Sequence, residues 1–135
     1  WTQLGRGIGN TSVFRFPVGR YAEIYNKFKE NPEKILKDFR VEQHYISKLI
    51  PEQKFWPASW CVSFKHTLLP KFPLNWFKVA ELPSDARIIG FTGKPDPDEA
   101  AIGKWPVKSW YKAIYKHVLP TPWINEHWQD KDLPA

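Results

Sequence analysis

The six residues from Arg87 to Thr92, Arg-Ile-Ile-Gly-Phe-Thr, constrain the fold more than any other stretch of this chain. β-Branched and aromatic residues favour an extended backbone. An apolar run without polar alternation suits a strand covered on both faces, as in the centre of a sheet flanked by helices. The run stops at Gly93-Lys94-Pro95, and Asp96, Asp98 and Glu99 follow, spaced by Pro97. A glycine at a strand end lets the backbone take positive φ or approach a ligand closely. Lysine supplies a point charge suited to phosphate, and open α/β sheets place ligands beyond the carboxyl ends of their strands. Gly93 and Lys94 therefore read either as a phosphate cradle or as a plain turn with a solvated lysine.

The remaining pattern supplies helices and a few short strands. Gly5, Gly7 and Gly9 make residues 1–10 a loop. Ser12 to Phe16 reads as a short strand broken by Pro17 and Gly19. Arg20 to Glu30 carries Tyr21, Ile24, Tyr25 and Phe28 at helical spacing. Asn31-Pro32-Glu33 starts a second helix, with asparagine as cap and proline in the first turn. A third runs from about Val41 to Leu49 and ends before Pro51. Lys54 to Phe64 is strand-like but interrupted by Pro57, and Leu68 to Leu82, with Pro70 and Pro73, is an irregular aromatic-rich excursion. Asp98 to Ile102 predicts a helical turn. Val107 to Val118 predicts a helix with Trp110, Ile114 and Val118 facing the body of the protein, and a tail with Trp123 and Trp128 closes the chain. The class is α/β in the mixed α+β sense, as one domain over residues 1–135 without an internal boundary.

Charge and composition narrow the function classes. A net charge of +6 and a pI of about 9.4 favour anionic partners. Lys104, Lys108, Lys112 and Lys116 recur every four residues. On one helix they would align, each like-charged pair costing about 0.2–0.5 kcal/mol, which an anionic leaflet would offset; a solvated helical face accounts for them equally. The single Cys61 cannot form an internal disulfide, fits a small buried apolar residue and agrees with a reducing compartment. The four histidines have no metal-ligand spacing, and no P-loop or nucleophile-elbow motif is present. No apolar run approaches the roughly 18 residues needed to span a bilayer. Methionine is absent and Trp1 is not the small residue that permits removal of an initiator, so the sequence reads as a piece of a longer chain.

Two further sets of residues suit carbohydrate. The carboxylate of Glu42 and the amide of Gln43 make directional hydrogen bonds of the kind sugar hydroxyls accept and donate; an acid in a first helical turn is also favourable in its own right. Phe55, Trp56, Trp60, Phe64, Phe72, Trp76 and Phe77 offer flat faces that match pyranose rings, or the aromatic filling of an ordinary core. These features admit a carbohydrate-active enzyme, a non-catalytic carbohydrate-binding module, or a basic nucleic-acid-binding domain with steeply salt-dependent affinity. The abundance of tryptophan, and 14 acids mixed among the basic residues, weigh against nucleic acid.

Read in order, Gly9-Asn10-Thr11-Ser12-Val13-Phe14-Arg15-Phe16, Glu42-Gln43, Phe55-Trp56-Pro57 with Trp60, and Ala86 through Pro95 form a recognisable series. It resembles the C-terminal, acceptor-side half of GT-A-fold glycosyltransferases, the nucleotide-diphospho-sugar transferase superfamily that includes glycogenin-like enzymes. The resemblance covers roughly Ile8 to Trp128. It implies that Asn10 and Ser12 face the donor sugar and acceptor, with Ser12 where many members have glycine. Glu42 and Gln43 would stand near the reacting sugar as the catalytic pair, Gly93 and Lys94 beside the nucleotide diphosphate, and Trp56 and Trp60 as a wall for the acceptor. Thr92 stands where the family often has a metal-binding histidine, so metal coordination from this half is not expected. The upstream nucleotide-binding βαβ units and their Asp-x-Asp are not in this sequence; Asp96-Pro97-Asp98 has the letters but follows Gly-Lys-Pro on a loop. The resemblance thus implies a chain inactive alone. The complete enzyme would use a divalent cation, Mn²⁺ or Mg²⁺, a nucleotide diphosphate sugar and a glycan acceptor, in the cytoplasm and peripheral to the inner face of an anionic membrane.

Overall fold

The computed structural model describes residues 7–128. The chain is mixed α/β and packs as two compact units that divide between Ala58 and Ser59.

The first unit is helical: α1 (Ala22–Glu30), α2 (Pro32–Asp38) and α3 (Glu42–Leu49). Asn31 caps α2 as its sequence suggests, its side chain accepting the Lys34 amide at 3.2 Å, with Pro32 in the first turn. Tyr45 of α3 is the buried centre of this unit. Its ring meets Phe28 and Phe39 at centroid distances of 6.5 and 5.3 Å, and its hydroxyl donates to the Ile24 carbonyl at 2.8 Å. One side chain thus ties three helices together, its polar tip satisfied on α1. The strand expected from Ser12 to Phe16 does not form. The Asn10 side chain accepts the Ser12 amide at 2.8 Å, and this local turn bond competes with extended pairing.

The second unit is built on two short parallel strands, β1 (Cys61–Ser63) and β2 (Ile88–Gly90), in the register Cys61↔Ile88, Val62↔Ile89, Ser63↔Gly90. One π-helical turn (Phe64–Leu68) follows β1 directly, and a 3₁₀ turn (Leu74–Trp76) lies in the crossover. Among the described residues three short helices follow: α4 (Pro97–Ala101), α5 (Trp110–Tyr115) and α6 (Trp123–His127). The core gathers Phe64, Ala80, Ala100, Ala101, Val118 and Ile124. Phe64 stacks on Phe91 at 4.7 Å and lies 6.2 Å from Trp123, whose indole N–H donates to the Ala80 carbonyl at 2.8 Å. Small alanines on α4 let the segment before α6 approach closely, and the Thr121 amide reaches the Ala100 and Ala101 carbonyls, both at 3.2 Å. Gly103 completes the fit. Its φ is +76°, and a Cβ there would lie 2.7 Å from the Pro120 ring.

Two strand expectations are corrected in this unit. The run from Arg87 to Thr92 does contain a strand, but not a central, twice-covered one. Among the described residues β2 has β1 as its one ladder partner, and Ile88 is 37% exposed. Likewise only Cys61–Ser63 of the strand-like Lys54 to Phe64 pairs, because Pro57 and the turn at 58–60 keep the earlier residues out of the ladder.

The helix expected over Val107 to Val118 is α5, six residues long. Pro106 lies upstream, Ser109 is the N-cap, and the C-terminal carbonyls are taken by side chains from the 3₁₀ turn. Trp76 Nε1 donates to Ile114 O at 2.8 Å, and Asn75 Nδ2 donates to Tyr115 O at 3.0 Å and His117 O at 2.9 Å. Those bonds end the helix by satisfying the carbonyls a further turn would have used. Lys112 lies inside α5, Lys116 is its C-cap, and Lys104 and Lys108 precede it, so the four lysines do not form one helical stripe. Val118 is buried as expected, but Trp110 and Ile114 are exposed rather than turned to the body.

Candidate functional site

The sequence-predicted residues fall into two places. In the first unit, Thr11 Oγ1 donates to Glu42 Oε1 at 2.9 Å. The loop that carries Asn10 and Ser12 is thereby joined to the first turn of α3, where Glu42 and Gln43 begin the helix. The Gly9 amide donates to Ser47 Oγ at 3.1 Å, one turn further along the same helix, and Gln53 Nε2 donates to the Gly7 carbonyl at 2.8 Å. Three bonds thus fix the backbone from Gly7 to Thr11. Glu42 is exposed and Gln43 half-buried. With one oxygen held by Thr11, the Glu42 carboxylate keeps acceptor capacity for a ligand hydroxyl, and the dipole of α3 favours its charge. Trp56 lies in this unit near its end, with its ring partly exposed.

In the second unit, Trp60 precedes β1, and its carbonyl accepts the amides of Arg87 and Ile88, both at 2.9 Å. It therefore helps to set the register of β2 while its own ring stays partly exposed. Beyond β2 the chain turns at Gly93, whose φ of +63° is a left-handed conformation that glycine adopts without strain. Lys94 follows with its ammonium on two carboxylates, Asp96 at 2.5 Å and Glu99 at 2.8 Å. Glu99 also accepts the Asp96 amide at 2.8 Å, closing the first turn of α4. These contacts set the ionisation. The hydrogen bonds to Asp96, and then to Glu99, hold the Lys94 ammonium well above the ordinary lysine range. The bond from Lys94, and then the Asp96 amide, hold the Glu99 carboxyl below its usual value. Two carboxylates thus already neutralise the Lys94 charge, and an incoming phosphate must compete with them for it.

Asp96-Pro97-Asp98 has the letters of a metal motif, but the structure brings Asp96 together with Glu99, around Lys94. The signal was present as a proline-led helix start with an acid three residues after the cap. Missed altogether was a cavity of about 400 Å³ beside β2, lined by Arg87, Ile89, Phe91, Trp123, His127 and Trp128 among others. It depends on α6 returning to the strand, which no local pattern announces. The divalent cation implied by the resemblance finds no ligand set among the described residues, where no group of three or more His, Cys, Asp or Glu side chains is placed to hold one. Nor is any helix of the described residues long and apolar enough to cross a membrane.

Comparison with protein-family models, with curated proteins and with solved structures found no match for this chain.

Proposed function

We propose that this chain is the acceptor-side part of a GT-A-type glycosyltransferase, which moves a sugar from a nucleotide diphosphate sugar to an acceptor hydroxyl. The observation that carries the reading is the Thr11–Glu42 hydrogen bond. It joins, across 31 positions of sequence, two segments that the resemblance assigns to one donor–acceptor site. On this reading Glu42 and Gln43 orient sugar hydroxyls, Asn10 and Ser12 line the approach, and Trp56 and Trp60 offer ring faces to the acceptor. Gly93 and Lys94 serve the diphosphate leaving group, with Lys94 exchanging a carboxylate partner for phosphate as charge develops. Catalysis belongs to the complete enzyme, in the cytoplasm.

The test has two arms. The protein encoded with the upstream coding sequence is assayed for transfer from nucleotide sugars, wild type against Glu42→Ala. The 135-residue chain is assayed alone for glycan and nucleotide-sugar binding by saturation-transfer NMR. The proposal expects transfer by the longer protein, loss of it in Glu42→Ala, and none by the shorter chain. The half-exposed indoles of Trp56 and Trp60 favour one other reading, a carbohydrate-binding module. Glycan binding by the short chain that is indifferent to nucleotide and to Glu42→Ala would establish that reading instead.

A further inference from the structure

The second unit carries an exposed aromatic surface that the proposed chemistry does not use. Trp110 on α5 is 82% exposed and Phe77, just after the 3₁₀ turn, is 79% exposed; Phe72, Leu74, Tyr111 and Ile114 are each about half exposed. Trp110 and Ile114 are four apart on α5 and so share a face. The segments are not two loose loops. Trp76 donates to Ile114 O and stacks on His117, and Asn75 holds the Tyr115 and His117 carbonyls, so the crossover and α5 form one braced surface.

Its charge is one-sided. Residues 65–80 hold Lys65, Lys71 and Lys78, and residues 102–125 hold Lys104, Lys108, Lys112 and Lys116; neither segment contains an Asp or Glu. Such a surface repels a second copy of itself and selects an anionic partner. Aliphatic Leu74 and Ile114 stand among the rings, which suits an apolar phase rather than a row of stacked bases. One face of the Trp76 indole is already occupied by His117, with ring centroids 3.8 Å apart. Neither segment contains an arginine, the cation that most often stacks on and forks to nucleic acid.

We propose that this face, built from α5 and the 70–79 segment, docks on an anionic lipid bilayer. The exposed rings enter the boundary between headgroups and acyl chains, where Trp and Tyr are enriched. The lysine stems lie along them with the ammonium groups on lipid phosphates and carboxylates. This docking stands independently of the glycosyltransferase reading, since it uses none of the residues assigned to the sugar site.

Flotation of the 135-residue chain with phosphatidylcholine vesicles, with and without phosphatidylserine, tests it at low and high salt. A single-stranded oligonucleotide serves as a competing anion. The expected result is binding that requires phosphatidylserine and falls with salt. Lys108→Gln/Lys112→Gln/Lys116→Gln weakens it by about a hundredfold, at roughly fivefold per lysine. Trp110→Ala/Phe77→Ala weakens it at unchanged net charge. Lys108, Trp110 and Phe77 are exposed and Lys112 and Lys116 partly buried, so circular dichroism checks that each variant keeps its fold. A control triple on the first unit, Lys27→Gln/Lys29→Gln/Lys34→Gln, should bind as wild type; an equal loss there would reduce the effect to net charge and overturn the proposal. Absent binding, binding indifferent to phosphatidylserine or to the aromatic pair, or tighter binding to the oligonucleotide would overturn it as well.

Discussion

The indole of Trp76 lies flat on the imidazole of His117, with ring centroids 3.8 Å apart and planes within 4°. The same indole donates to Ile114, and its neighbour Asn75 donates to Tyr115 and His117. A proline-rich segment that looks irregular in sequence is therefore the C-terminal cap of α5.

Asn75 is 1% exposed, and both its amide protons are spent on carbonyls. Asn75→Ala leaves two acceptors orphaned and should lower stability by about 2–3 kcal/mol. Asn75→Asp should cost more, because it sets an acceptor against the same carbonyls. Urea unfolding and amide exchange along α5 measure both. A change below about 0.5 kcal/mol in Asn75→Ala would remove the capping role.

Gly103 and Gly93 both take positive φ, but only Gly103 is crowded. Gly93→Ala should cost about 1–2 kcal/mol, the left-handed backbone alone. Gly103→Ala adds a clash with Pro120, so it should cost clearly more and loosen the contact of Thr121 with α4. Equal unfolding midpoints for the two variants would contradict the close approach.

Acid should release the turn at Lys94. The Glu99 carboxyl is held below its usual value, so its contribution is present above the unfolded-state pKa and is lost as pH falls through the lower folded value. Protection of the amides at 94–101 against exchange, taken relative to the intrinsic rate at each pH, should therefore be steady near neutrality and fall on acidification below about pH 4.5, the ordinary glutamate value. Glu99→Gln should show lower protection at neutral pH and little further loss of protection in acid.

The same ion pairs divide two roles for Lys94 in the complete enzyme. If it serves the diphosphate, Lys94→Ala should lower kcat/KM by about a hundredfold. Glu99→Gln, which releases the ammonium from one competitor, should tighten nucleotide diphosphate binding. If Lys94 only staples the turn to α4, both variants loosen residues 94–101 and neither changes nucleotide affinity. Titration calorimetry with a nucleoside diphosphate separates the two.

Much of the local architecture was legible because its causes are local. Asn31-Pro32 starts α2, and a proline-led acidic turn starts α4, since caps act over three or four residues. Ile88–Gly90 is extended because branched residues prefer it. Of the candidate site, the residue types at Asn10, Ser12, Glu42, Gln43, Gly93 and Lys94 could be named, and Gly93 does take the left-handed conformation that its position suggested. What the sequence did not contain was the set of partners. That Glu42 holds Thr11, that Lys94 is neutralised by Asp96 and Glu99, and that α5 stops at Tyr115 because Asn75 and Trp76 take its carbonyls all depend on side-chain bonds. Those of Glu42 and α5 bridge more than thirty positions. Hydrophobic period and propensity act along the chain and cannot register a donor arriving from elsewhere. The helix pattern from Val107 to Val118 was therefore real in its spacing but overruled in space: Val118 is buried as expected, while Trp110 and Ile114 stand on the surface.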